Sequence, residues 1–375
     1  MLSDLGSPRL KLLLVHEMGI PPKRNIVEAD ALRLETAMKR EGYDITRVGA
    51  PPQAEIFVET SGSVRLGSGA TLDLAGFDGA LLCVPPSVLW RAAYERLLID
   101  RGVFVYQDFE TARAASDKLR SLAVFNANDI STPRTLGFYF DRPVPAADLQ
   151  HFLATIDARP YVVKKSYGWS GHFVRFPQNT AEAESLIWDW HRENVAQAKG
   201  GVLTQEFIES GEMRKCDYRV HTVVGRDGAG NLEPKIAAAF LRVALPGQLM
   251  TNLSYGAERR RMALDFEEGE RFYVGKHGLT PKEYRAQVDA GDISILPEPI
   301  AALALRTAAA FGLGYLGQDI IVRRSDDRPF VLEVNPTTGA KAMLEGEEGF
   351  DIYRRWAASF ARTVAYEKAR SGHSK

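Results

Sequence analysis

The sequence predicts an α/β protein: an open α/β unit at the start, followed by a longer α+β region built on β-hairpins. Three observations carry that expectation. Over the first 110 residues, continuous apolar runs such as Leu10 to Val15 alternate with helical patterns, as buried parallel strands and their crossovers do. Further on, DYRVHTVVG alternates polar and apolar residues before the turn RDGAGN, as a strand in a hairpin does. Near the end, the Ile- and Val-rich runs QDIIV and FVLEV flank the polar turn Ser325-Asp326-Asp327-Arg328.

Composition sets outer bounds. A chain of 375 residues can form two or three domains around separate cores. With 45% hydrophobic and 25% charged residues it has the balance of a soluble globular protein. A net charge of −1 supplies no global field for nucleic acid or an acidic membrane, so neither is an expected partner and any basic site is local. Cys83 and Cys216 are too few for a disulfide framework and suit a reducing compartment. The apolar run in MLSDLGSPRLKLLLVHE is shorter than a signal-peptide core or a membrane span, so it is expected to be a strand and the protein cytoplasmic.

In order, the strand at Leu10 to Val15 leads through HEMGIPPKRN to a helix with a capping box at Asn25 and Glu28. Its apolar face is Val27, Ala31, Leu34 and Met38, and Gly42 closes it. Strands at Asp44 to Val48 and Gly79 to Val84, a helix over Val88 to Asp100 and a strand at Val103 to Tyr106 complete a unit ending near residue 110, with short strands between Ile56 and Asp73. No glycine fingerprint follows the first strand, which excludes a dinucleotide site there. A helix from Thr111 to Asn126 carries Lys118, and an extended segment follows around Pro133. YVVKKSYGWSGHFVRF is a strand, a glycine-bearing loop and a second strand. Asn179 and Glu182 open a helix with the face Ala183, Leu186, Ile187 and Trp190, and the strand VLTQEFI comes next. Glu258 to Asp292 has no clear core pattern and reads as a flexible loop or lid, with a short helix at PKEYRAQVDAG. Ile300, Leu303, Thr307 and Phe311 form a helix face closed by Gly312, and Phe350 to Lys368 is a final amphipathic helix.

The chemistry gathers on the hairpin. Glu333 and Asn335, two residues apart on a strand, point to one face, and Val334 points to the other. If Asp319 joins them, three oxygen-bearing side chains form a hard-ligand set suited to Mg²⁺. That requires Asp319 to pair with Glu333 or Asn335, because cross-strand partners share a face. A two-residue loop would pair it with Val334, so an odd loop or a bulge is expected at Ser325 to Arg328. Upstream, Ser166 to Gly171 can turn backbone N–H groups toward an anion, with Gly168 and Gly171 allowing close approach. Of Lys164 and Lys165, one faces the loop's concave side; alternation does not decide which. Glu206, Phe207 and Ile208 can offer backbone groups to an adenine edge. Asp217, Arg219 and His221 share one strand face, usually a solvated one.

Taken in order, Lys118, VVKKSYGWSG, QEFI, DYRVHTVVG, AAAFLRV, TNLSYGA, LGQDIIV and LEVNPTTG resemble the ATP-grasp superfamily, and within it the RimK-like amino-acid ligases, over residues 110 to 345. The resemblance implies an ATP-grasp fold in three parts: an N-terminal α/β domain (1–110), a central subdomain with the glycine-rich loop (111–205) and a C-terminal subdomain with the metal site (206–375). It implies that ATP and Mg²⁺, with Mn²⁺ as an alternative, are the cofactors. Lys118, Lys164 and Ser166 to Gly171, including Gly168, would contact the phosphates. Glu206, Phe207 and Ile208 would form the adenine hinge, with Glu212, or in competition Glu209, on the ribose. Asp319, Glu333 and Asn335 would hold the metal, and Arg219, Arg242 and Asn252 would be the catalytic residues lining the phosphate and acyl-acceptor side.

The implied activity joins a small-molecule carboxylate to an amine through an acyl phosphate, the acceptor being an amino acid, a peptide or a protein. A phosphotransferase and a non-catalytic ATP-binding module are the alternatives, and fold-level analogy suggests a homodimer. Three features depart from the pattern: Lys165 stands where proline is common, Tyr167 and Trp169 stand where small residues are usual, and Glu258 to Asp292 is an addition. Substrate contacts are expected from His16 to Arg24 and from that addition.

Overall fold

The structure is a computed structural model describing residues 10–17, 26–50, 57–58, 63–65, 71–84, 90–142, 144–156, 160–168, 171, 173–195, 200–211, 214–336 and 348–372. Glu212, the capping residue Asn25 and residues 18–24 lie outside that set. No helix among the described residues is long and apolar enough to cross a membrane.

The first region runs β1 (Lys11–Glu17), α1 (Ile26–Arg40), β2 (Asp44–Ala50), the short strands β3 (Phe57–Val58), β4 (Ser63–Arg65) and β5 (Thr71–Asp73), then β6 (Gly79–Cys83), α2 (Trp90–Asp100) and β7 (Phe104–Val105). The parallel sheet has the order β2-β1-β6-β7, and β3, β4 and β5 form a small antiparallel sheet beside it. The apolar run of β1 is buried on both faces, which is why it does not alternate. Ala31, Leu34 and Met38 of α1 are buried as their spacing requires, and Gly42 ends the helix at φ 85°.

The second region comprises α3 (Phe109–Ser116), α4 (Lys118–Ala127), β8 (Thr135–Tyr139), α5 (Ala146–Thr155), β9 (Val162–Lys165), β10 (Val174–Arg175), α6 (Thr180–Asn194) and β11 (Gly201–Gln205). Its antiparallel sheet is ordered β10-β9-β11-β8. The single helix expected over Thr111 to Asn126 is broken. Asp117 takes extended backbone angles and its side chain accepts from the Leu119 N–H, capping a new helix at Lys118. Asn179 caps α6 in the same way, through the Glu182 N–H.

The third region holds β12 (Cys216–Arg226), β13 (Leu232–Val243), β14 (Glu258–Met262), α7 (Phe266–His277), α8 (Pro281–Asp289), α9 (Glu298–Phe311), β15 (Tyr315–Val322), β16 (Pro329–Asn335) and α10 (Glu348–Gly372). Its sheet is ordered β14-β13-β12-β15-β16, all antiparallel. The flexible loop or lid expected over Glu258 to Asp292 is instead ordered as an edge strand and two helices, of which α8 is the short helix expected at PKEYRAQVDAG. Asp265 caps α7, Gly278 closes it at φ 71°, and Thr280 with Glu283 forms a complete capping box around Pro281.

α10 joins the first and third sheets. One core cluster runs from Leu12, Leu14 and Leu34 through Tyr353, Trp356 and Phe360 of α10 to Val223, Phe240 and Tyr315. Tyr106, just past β7, donates its hydroxyl hydrogen toward carbonyls of Val224 (2.7 Å) and Gly314 (3.0 Å), with Ser359 Oγ also at 3.0 Å. A Cβ at Gly314 would stand 2.2 Å from the Tyr106 ring, so only glycine admits this contact. The first region thus shares one core with the third and keeps another, around Leu13, Val15, Leu82 and Leu98, to itself, while the second region has its own around Phe138, Leu149, Ile187 and Trp190.

Candidate active site

The hairpin of β15 and β16 sets the site's geometry. Asp319 pairs with Glu333 and Gly317 with Asn335, as a shared ligand face demands. The device that achieves this differs from the expected one. Val322 pairs with Pro329 across the turn, and the register shifts between Asp319 and Ile320, where β16 carries Leu332 as an extra residue. The bulge therefore lies inside β16. It leaves two consecutive residues, Leu332 and Glu333, lining the same cleft.

Beside the hairpin, β12 presents Asp217, Arg219 and His221, all buried rather than solvated. Arg219 pairs with Asp319 across the strands and forks onto its carboxylate, with Nη2 2.9 Å from Oδ2 and Nε on Oδ1. Arg242 of β13, opposite Asp217, forks onto Asp217 at 2.7 and 2.6 Å, and its Nη2 also lies 3.0 Å from Asp319 Oδ1. Thr251 donates to Asp217 Oδ2 at 2.6 Å. Two carboxylates and two guanidiniums are thus locked together under the cleft. Burial pulls Arg242 down, but Asp217 and Asp319 outweigh it and hold the guanidinium well above its usual value. His221 lies deeper, with Nδ1 2.6 Å from the Tyr315 hydroxyl; burial first, then Arg219 and Arg242, push it down to about 3, so it is neutral.

The facing wall comes from β9, β11 and α4. Lys164 is the buried lysine of the pair, paired across to Leu203 and Val174, while Lys165 reaches Asn194 Oδ1 at 3.3 Å and lies over the Phe173 and Trp190 rings. Burial lowers Lys164 to about 8, with Lys118 adding to the effect and Glu333 and Asp319 opposing it. The break at Asp117 explains how Lys118 reaches the site. Its backbone N–H bonds to Ser166 C=O at 3.0 Å, and its Nζ lies 3.2 Å from Gly168 O and 3.4 Å from Glu333 Oε2. Ser166 is buried and its hydroxyl accepts from Gly201 N–H at 2.8 Å, so it anchors the loop's base. Gly171 takes φ 73°, and a Cβ there would meet Met250 Sδ at 2.9 Å and Asn252 Oδ1 at 3.3 Å.

Between the walls is an open cleft of about 810 Å³. Of the residues expected from sequence, Lys118, Lys164, Gly168, Gly171, Glu206, Ile208, Arg242, Asn252, Asp319 and Glu333 line it. Phe207 does not: it is buried edge-on to Phe176, beneath Lys215. Arg219 lies behind Asp319, and Asn335 directs its amide NH₂ to Glu333 Oε1 at 3.3 Å. The Glu206 carboxylate is turned to Arg323 (3.5 Å) and the Arg134 N–H (3.3 Å), and its own N–H donates to Arg134 C=O at 2.8 Å, so of its polar groups the backbone carbonyl is the one left for a ligand. Glu209 is exposed and does not line the cleft, nor does any described residue of 258–292. Lys215, Asp217 and Thr251 also line it. For Lys215 and Asp217 the signal in the sequence was the phase of β12, Lys215 standing two residues before Asp217 on the same face; Thr251, in the loop after β13, carried none.

Among the described residues no group of three or more His, Cys, Asp or Glu side chains could hold a metal. The set here is two carboxylates in register with an amide beside them, and an amide whose NH₂ points at Glu333 offers its oxygen to a cation. That donor chemistry fits a hard ion such as Mg²⁺, which keeps several waters and takes phosphate oxygens as well.

Residues 115–271 match the family of RimK-like ATP-grasp domains. The chain is 28% identical over 303 residues to a probable alpha-L-glutamate ligase 1 of Hahella chejuensis, covering 80% of this chain and 81% of that one. It is 27% identical over 284 residues to a probable alpha-L-glutamate ligase of Thioalkalivibrio sulfidiphilus, covering 76% of each. In fold it resembles the D-alanine-D-alanine ligase of Bacillus anthracis complexed with ATP (TM-score 0.56, 15% identity, 97% and 99% covered). It also resembles a RimK domain ATP-grasp protein of Sphaerobacter thermophilus (TM-score 0.53, 17% identity, 94% and 99% covered). The chain thus carries a RimK-like ATP-grasp domain over residues 115–271, set in a fold that is similar along its length to those of the solved ligases.

Proposed function

We propose that the protein is an ATP- and Mg²⁺-dependent carboxylate-amine ligase that makes an amide bond through an acyl phosphate, releasing ADP and phosphate. The observation that carries this reading is the pairing of Asp319 with Glu333 on one wall, directly across the cleft from Lys118 and Lys164. The regions 1–110, 111–205 and 206–375 serve as the N-terminal, central and C-terminal parts of the enzyme. Its relatives are named alpha-L-glutamate ligases, which makes L-glutamate the first substrate to test.

Asp319, Glu333 and Asn335 would hold Mg²⁺, which when bound supplies positive charge to phosphate oxygens. A carboxylate is a poor electrophile; its oxygen attacks the γ-phosphorus, the bond to ADP breaks, and the product is an acyl phosphate with a good leaving group. Lys118 and Lys164 put positive charge where that transfer concentrates negative charge. The Glu206 carbonyl and the Ile208 N–H would hold the adenine edge, because the Glu206 N–H is bonded to Arg134 C=O and the Ile208 carbonyl accepts from Lys215. The amine then attacks the acyl carbon, phosphate leaves, and a proton is lost from nitrogen. Arg242 faces this side of the cleft with Asn252, and Arg219 acts through Asp319, which it orients. Gly171 packs close to Met250 and Asn252, and from there the glycine loop would help to exclude water from the acyl phosphate.

The test is ADP release with MgATP across a pooled library of amino acids and dipeptides, with Glu333→Gln as the control, because Asp319 is tied into the buried charge network. The expected result is turnover that needs a carboxylate and an amine together and is lost in the variant. Turnover with one acceptor and a phosphorylated product would move the assignment to a phosphotransferase, and absence of ATP binding would overturn the reading.

A further inference from the structure

Lys215 has no part in the reaction just described, yet it is a cation in the wall of the cleft. It stands one residue before β12, still bonded to the β13 side through its carbonyl, which accepts from Ala244 N–H at 2.8 Å. Its side chain turns back onto the hinge. Nζ lies 3.6 Å from the centre of the Phe207 ring and donates to Ile208 C=O at 3.3 Å. Val162, Phe176, Ile321 and Leu332 supply an apolar bed for a base in the same cleft. Along the face of β12 the order is Lys215, Asp217, Arg219, with two-residue steps of roughly 7 Å leading from the hinge toward the phosphate end. A nucleotide with its base on that bed and its phosphates toward Lys118 and Lys164 would place its sugar between those ends.

Among the described residues the polar groups available there are few; Glu212, expected on the ribose, lies outside them. Glu209 is exposed and outside the cleft, and both oxygens of Asp217 are held by Arg242 and Thr251. The Lys215 ammonium has three N–H donors, of which the Ile208 carbonyl takes one. We infer that Lys215 recognises the ribose hydroxyls of the bound nucleotide and so makes the sugar a determinant of nucleotide choice. This rests on the nucleotide reading of the cleft. The competing role is a brace that merely holds the hinge. Burial brings the amine down to about 7, which also makes it a competent partner for an aldehyde placed on the sugar.

Two measurements separate recognition from bracing. Binding of MgATP and of Mg 2′,3′-dideoxy-ATP is measured for the wild type, Lys215→Met and Lys215→Arg. A charge-assisted hydrogen bond to the sugar predicts a roughly tenfold or greater wild-type preference for ATP, falling to within about twofold in Lys215→Met and kept in Lys215→Arg. Equal weakening of both nucleotides in Lys215→Met would identify a brace and overturn the inference. In the second arm the wild type is treated with the 2′,3′-dialdehyde of ATP. The amine and aldehyde lose water to form an imine, borohydride reduces it to a secondary amine, and peptide mapping locates the label. Labelling at Lys215, prevented by excess ATP, is expected; labelling only at Lys118 or Lys164 overturns the inference. A wild type that binds neither nucleotide overturns the nucleotide reading itself, whereas binding without discrimination between the sugars overturns the role of Lys215 alone.

Discussion

On the sheet wall of the cleft, Asp217 and Asp319 are matched by Arg219 and Arg242 within hydrogen-bonding distance, so four buried charges cancel before any ligand arrives. On the facing wall, Lys118 pairs with Glu333 of the opposite side, and Lys164 has no carboxylate of its own wall beside it, only the same Glu333 and, less strongly, Asp319 across from it. The difference separates charge that holds the fold from charge that can be spent on a ligand. The first wall is expensive to disturb and already satisfied. The second carries an excess of positive charge suited to phosphates and is poorly compensated without them.

The largest effect should come from breaking the closed network. Arg242→Met would leave Asp217 and Asp319 buried with one guanidinium between them, and removing one partner of a buried pair typically costs about 3–5 kcal/mol. Urea unfolding of the variant beside the wild type measures it. A loss below about 1 kcal/mol would mean that water enters the cleft freely enough to solvate both carboxylates, and the contrast between the walls would fail.

Lys164→Met is the matching change on the other wall, and the sign on stability should differ. It removes a cation whose burial is already costly, so the urea midpoint should hold or rise, while MgATP affinity falls roughly 10- to 100-fold. Lys164→Arg keeps a charge there and should recover part of the affinity. Loss of stability with unchanged nucleotide binding would reverse the roles assigned to the two walls.

How much of this was readable in advance follows the same division. The need for Asp319 and Glu333 to share a face came from alternation alone, and the pairing obeys it. The bulge at Leu332 did not, because Val-Leu-Glu-Val continues an ordinary strand pattern through the irregular residue. Lys164 could not be chosen over Lys165, because Val162 and Val163 before them are both buried and carry no phase. The helix break at Asp117 and the cap of α7 at Asp265 were present as local signals, outweighed by the expectation of one long helix and by the charge of the 258–292 segment, where only the short helix at PKEYRAQVDAG was legible. The burial of Asp217, Arg219 and His221 was beyond local reading. A polar strand face is solvated or buried according to what the rest of the chain places against it, and here α10 and the loop at Thr251 do so.

The smallest predicted effect tests how closed the sheet wall is at its deep end. His221 is fully buried against Tyr315 and Phe240, with Arg219 and Arg242 as the nearby charges, and stays neutral in the folded protein down to about pH 3. The unfolded chain takes up the proton near the ordinary value of 6.5. Between those values the unfolded state binds more protons than the native one, so stability rises with pH and is lost as pH falls, by up to about 1.4 kcal/mol per pH unit. His221→Gln keeps a hydrogen-bonding partner for the Tyr315 hydroxyl and removes the titration. Other groups titrate in both proteins, so the quantity to compare is the change in unfolding free energy from pH 7.5 to 5.5 in each. The wild type should lose about 1 kcal/mol more than the variant. Equal losses would mean that His221 can be protonated in place, and that two guanidiniums and the surrounding core do not exclude a third positive charge from this face.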